Sequence, residues 1–193
     1  MRYVVLGCDL LLIGVFAVSA TGKLRSRAVF LDFCDSVRKV LGTRPDRARQ
    51  LAAAVVAFEV VTVPTLVFLP AVGFLVAMLL CVTFAVALGR AVRHAVREPC
   101  RCFGSSSAPL GWRHAARAAT LSLIALAGEV GVLTGAVLTG PIWLPGPWHP
   151  GGISVAVGAA AILVALTVFY DDIADLFAGV GAGLPREPTR EGI

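Results

Sequence analysis

Two cysteines one residue apart stand in the run Pro99-Cys100-Arg101-Cys102-Phe103-Gly104, between two long apolar stretches. The thiolate, not the thiol, attacks disulfides and ligates metals, and nearby positive charge favours it. Arg101 between the thiols, Arg97 before them and the start of the following helix would supply that charge. A disulfide across one intervening residue closes a small strained ring, and strained bridges are oxidising and labile. The chemistry that fits is thiol–disulfide exchange. Metal or cofactor binding and an inert structural pair stay open beside it. His94 and His114 bracket the cysteines, so Cys100, Cys102, His94 and His114 could form a tetrahedral site. Their spacing matches no common zinc motif, and no metal is favoured.

Three acids, Asp9, Glu59 and Glu129, lie within apolar stretches, those of Asp9 and Glu59 holding no Lys or Arg of their own. Acids in a bilayer are expensive and face the bundle interior, which marks each as a candidate site. At 1.5 Å per residue, Glu59 and Glu129 fall about 14–15 Å from the outer ends of their stretches, near mid-membrane. Ionisation is costly at that depth, which suits a proton relay or a quinone contact. The alternative is a neutral acid that hydrogen-bonds across helices to fix packing. Asp9, nearer the surface, reads as structural. With five cysteines in all, at least one is unpaired or pairs between chains. Cys8 and Cys81 read as small buried hydrophobes, and Cys34 falls in a polar-faced segment.

The elements that must hold these groups are membrane helices. Of 193 residues, 58% are hydrophobic and 15% charged, with a mean hydropathy of +0.85. Soluble domains carry roughly 45–50% apolar and about 25% charged residues. The expected fold is all-α: a polytopic transmembrane helix bundle of four to five spans plus one interfacial amphipathic helix. The spans fall at about 3–22, 51–69, 71–89, 114–138 and 152–170, in one domain over 1–183. The last is short and rich in Gly and Ala, which would allow close helix packing. Residues 28–41 place Phe30, Leu31, Cys34, Val37, Val40 and Leu41 near one helical face, as in a helix lying along the headgroups. Val18-Ser19-Ala20 imitates a signal-peptidase site, but the long apolar run and Asp9 inside it favour a retained first helix.

Charge sets the expected orientation. Lys23, Arg25, Arg27, Arg38, Lys39, Arg44, Arg47 and Arg49 fill one connection, and Arg90, Arg93, Arg97, Arg101, Arg113 and Arg117 cluster around another. Residues 140–151 carry no Lys, Arg, Asp or Glu but have Trp143, Trp148 and four prolines. The positive-inside rule then puts the protein in the plasma membrane with its N-terminus outside. The Cys100/Cys102 connection and the C-terminus lie in the cytoplasm. Trp143, Trp148 and Tyr170 read as interfacial anchors, and 184–193 as a disordered tail. The net charge of +5 is topological, without the aromatic interleaving or motif of a nucleic-acid binder. No phosphate-binding loop, nucleophile elbow or paired-carboxylate hydrolase pattern is present.

With these residues in view, the chain resembles the methylamine utilisation protein MauE family, related to DoxX-like membrane proteins. Phe16-Ala17-Val18-Ser19-Ala20-Thr21-Gly22-Lys23-Leu24 at the close of the first helix and Glu59 in the second span carry the resemblance. So do Cys100-Arg101-Cys102-Phe103-Gly104 and Arg117-x-x-x-Leu121 at the start of the fourth span, over about 5–135 in all. The resemblance implies an integral membrane accessory protein that helps mature methylamine dehydrogenase, whose small subunit is exported and disulfide-rich. A thioredoxin-like partner is implied as well. Cys100 and Cys102 would take the redox role with Arg101 as electrostatic aid, while Glu59 and Glu129 would serve as proton or quinone contacts. One tension follows: disulfide donation to an exported protein wants thiols outside, whereas the arginines put them in the reducing cytoplasm. With the charges deciding, the pair would receive or pass electrons across the membrane.

Overall fold

The computed structural model describes residues 2–94, 111–134 and 149–181, the stretch from 170 onward by its backbone alone. Cys100, Arg101, Cys102, Trp143, Trp148 and the 184–193 tail lie outside the described residues. These residues form six helices and no strand. They are α1 (Arg2–Leu24), α2 (Arg27–Leu41), α3 (Pro45–Phe68), α4 (Pro70–Arg93), α5 (Trp112–Leu133) and α6 (Pro150–Gly181). All but α2 contain a stretch long and apolar enough to cross a membrane. The chain is a polytopic helix bundle with five candidate spans among the described residues.

Local chemistry sets the boundaries. Ser26 caps α2 by accepting a hydrogen bond from the Val29 N–H at 3.2 Å, and Gly42 ends it in the left-handed conformation at φ 60°. α3 and α4 form a hairpin through Leu69 alone, because Pro70 takes the first helical position of α4, where its missing N–H costs nothing. The Leu69 N–H donates to the Thr65 carbonyl at 2.8 Å, and the Gly73 N–H to the Leu69 carbonyl at 2.8 Å. Gly73 is required there, since a Cβ would stand 2.6 Å from the Leu66 backbone.

Packing then orients the bundle. Val5 of α1 covers Gly131 of α5, and the buried Phe74 ring of α4 covers Gly128, so α5 runs antiparallel to both. Tyr3 lies against Gly152 and Gly14 against Val164, so α1 and α6 run parallel. The Tyr3 hydroxyl accepts from the His149 N–H at 3.1 Å. The core is built on α1, through Val5, Leu12, Val15 and Phe16 against Leu66, Phe74, Ala77 and Ala125.

Two expectations change. Of the apolar face expected for α2, Cys34 packs on α3 beside Phe33, against Ala52 and Val56, while Leu31 and Leu41 stay exposed. That face is divided between protein and surroundings because Ala52 and Val56 of α3 offer α2 a partner on one side only. The second change concerns Lys23. α1 runs on to Leu24, so Lys23 belongs to its last turn and is 2% exposed, rather than a loop charge.

Candidate functional site

The buried acid Glu59 does have a cation, supplied by another helix. Lys side chains in a helix lean back toward its N-terminus, which brings the Lys23 Nζ level with Ser19 one turn earlier. It donates to the Ser19 Oγ at 2.9 Å and to the Glu59 Oε1 at 2.5 Å, and the Ser19 hydroxyl donates to the same Oε1 at 3.1 Å. The ammonium also stands 4.9 Å from the centre of the Phe33 ring and 5.8 Å from that of Phe84, within cation–π range. One charge therefore joins α1, α2, α3 and α4. The span of Glu59 holds no cation of its own; the partner lies 36 positions away in sequence and packs beside it only when α1 and α3 meet.

The pair borders a cavity of about 50 Å³. Ser19, Lys23, Glu59, Cys81, His114 and Arg117 provide its polar or reactive wall; Val15, Phe16, Phe84, Leu88, Ala118 and Leu121 provide the apolar one. One water occupies at least about 10–15 Å³ of such space, so there is room for a few waters but not for a substituted quinone ring. Glu59 Oε2 is buried and has no hydrogen-bond partner among the described residues, which leaves it available to such water. The lining holds two basic side chains, Lys23 and Arg117, against one carboxyl group, with the His114 imidazole beside them. Such a group can order water and hold a proton.

The other expected residues separate. Asp9 is fully buried, and neither of its carboxyl oxygens has a hydrogen-bond partner among the described residues. Glu129 is only partly buried and takes no part in the cavity lining. His94 caps the end of α4, whereas His114 lines the cavity from the first turn of α5. Cys8, Cys34 and Cys81 are free thiols, and the described residues hold no cluster of three or more His, Cys, Asp or Glu able to bind a metal ion. Lys23, Ser19 and Arg117 escaped the chemical reading. The Ser19–Lys23 spacing on one helix face opposite a buried acid was the available signal.

Cys100 and Cys102 are carried on the connection that leaves α4 at His94 and returns at Gly111. Leu88 from the end of α4, with His114 and Arg117 from the start of α5, lines the cavity, so both helices that hold this connection also wall the polar site. Residues 1–131 match the family model described as Methylamine utilisation protein MauE. The match takes in Lys23, Glu59, Cys100, Cys102 and Arg117 and ends ahead of α6. No curated protein and no solved structure matches the chain.

Proposed function

The chain belongs to the MauE family, and from that premise we propose that it is a membrane accessory protein performing thiol–disulfide exchange while an exported enzyme of the methylamine dehydrogenase type matures. The reading is carried by the placement of the C-x-C connection between α4 and α5, the two helices that wall a cavity holding the Lys23–Glu59 pair.

In the exchange, one thiolate of the Cys100/Cys102 pair attacks a sulfur of a partner disulfide. The partner S–S bond breaks, a mixed disulfide forms, and the leaving sulfur takes up a proton. The second thiolate then attacks its neighbour's sulfur, closes the Cys100–Cys102 bridge and releases the other partner sulfur as a thiol. Two electrons pass to the partner, and the two protons lost by the pair end on the partner's thiols. A dithiol of the thioredoxin class returns the pair to its reduced form by the same steps, and reversing the sequence oxidises a partner instead. Arg97 and Arg101 favour the thiolate, while Glu59 and His114 in the cavity wall hold protons as they change sulfurs.

Cys100→Ser with Cys102→Ser is expected to abolish maturation of the partner enzyme while membrane insertion stays normal. Full partner maturation by that double variant would sink the proposal. A carrier whose acid-lined cavity does the work instead predicts that Glu59→Gln is more damaging than loss of both thiols. A Cys/His metal protein predicts stoichiometric metal in the purified chain.

A further inference from the structure

α4 and α5 pack on each other through Leu88, Ala91 and Ala115, and beside that contact they leave a groove of about 460 Å³. Its floor is made of small residues, Ala85 and Gly89 of α4 with Ala115, Ala116 and Ala119 of α5. At the end where α4 closes and α5 begins stand Arg90 and Arg93, one turn apart, with Trp112; all three are exposed. The Arg93 guanidinium lies 6.0 Å from the centre of the Trp112 ring, a contact that holds it at the mouth of the groove. No acid is among the described residues that line the groove. The one acid of α4 and α5 is Glu129, about 25 Å along α5 from Trp112.

We propose that this groove binds one anionic phospholipid of the leaflet facing the arginine-rich connections, with the phosphate on Arg90 and Arg93 and an acyl chain laid along the small residues toward Ala85. Depth limits the occupant first. Ala85 lies about 12 Å along the helix from Arg93, inside the roughly 15 Å half-thickness of a hydrocarbon core. An acyl chain or another membrane helix reaches that depth; a soluble partner does not. Charge then decides between the two. A second copy docked by a twofold axis on the same face would bring four guanidiniums together, and like charges so placed repel. The helix poles leave the field of the arginines standing, because the end of α4 and the start of α5 lie side by side with opposite sign. Two guanidiniums one turn apart, with no carboxylate to answer them, suit phosphate oxygens. A zwitterionic head group brings its own ammonium to the same place and gains less.

The test is native mass spectrometry of the full chain released from nanodiscs of equal phosphatidylglycerol and phosphatidylcholine. The native chain is expected to retain one phosphatidylglycerol in preference to phosphatidylcholine. Arg90→Gln or Arg93→Gln should weaken that retention about five-fold, and the two together on the order of thirty-fold. Arg47→Gln, which removes an exposed arginine of α3 outside the groove, should leave it unchanged. Gly89→Leu fills the groove without meeting backbone, since a Cβ there finds nothing nearer than Trp112 at 4.0 Å. That variant should lower retention of both lipids while the circular dichroism stays helical. Equal retention of the two lipids by the native chain would overturn the proposal. So would a loss from Arg47→Gln as large as that from Arg90→Gln, retention unchanged by Gly89→Leu, or a dimer that Gly89→Leu disrupts. The readout is bound mass, so it stands or falls separately from thiol exchange.

Discussion

Lys23 and Glu59 show how a single pair decides the interior of this bundle. Two opposite charges out of water attract strongly, but each carries a desolvation cost, so the pair contributes little net stability while either partner alone is ruinous. Lys23→Met is therefore expected to destabilise the folded chain by roughly 3–5 kcal/mol, because it strands the Glu59 carboxylate. Lys23→Met with Glu59→Leu should recover most of that loss. Thermal unfolding in detergent checks both; a double variant no more stable than the single one would contradict the pairing. Glu59 was legible in the sequence as a costly buried acid, but Lys23 was not. A lysine closing an apolar run looks like a topological charge, and only the two extra residues of α1 and the backward lean of the side chain carry the ammonium inward. Arg117 was hidden in the same way, among arginines that mark the membrane side.

Among the elements, the spans were readable because a run of about 20 apolar residues has few other uses. α2 was readable from its 3.6-residue period. Its partner was not, since nothing in the pattern of 28–41 says that α3 starts at Pro45 and meets Phe33 and Cys34. The α3–α4 hairpin rests on Gly73, where the helices approach too closely for a side chain. Gly73→Ala should cost about 1–3 kcal/mol, as expected for overpacking. Gly158→Ala, with open space around it, should leave the melting temperature unchanged or slightly raised. Equal melting temperatures for the two variants would show that the hairpin tolerates the added methyl.

Over the whole molecule, α1 is the spine on which α3, α5 and α6 pack, and its last two turns supply the Lys23 and Ser19 of the polar site. Segments far apart in sequence that carried the family resemblance meet at one place: Ser19 and Lys23, Glu59, and Arg117 with Leu121 all line the cavity. The fourth segment, Cys100-x-Cys102, is tethered to two of the helices around it. Among the remaining cysteines, Cys8 and Cys81 sit within spans. Burial pushes the Cys34 thiol up, with the Arg49 charge working against it, so Cys34 is a poorer nucleophile than a thiol beside Arg101.

The most direct measurement of the exchange role traps its covalent intermediate. Cys100→Ser and Cys102→Ser would each be made in a chain with Cys8, Cys34 and Cys81 replaced by Ala, and cells quenched in acid and alkylated. One of the two variants should accumulate a protein adduct on a non-reducing gel that disappears on reduction, while the chain with both cysteines turns over without it. If neither variant forms an adduct, although both insert normally and are present at native levels, Cys100 and Cys102 are not an exchanging pair.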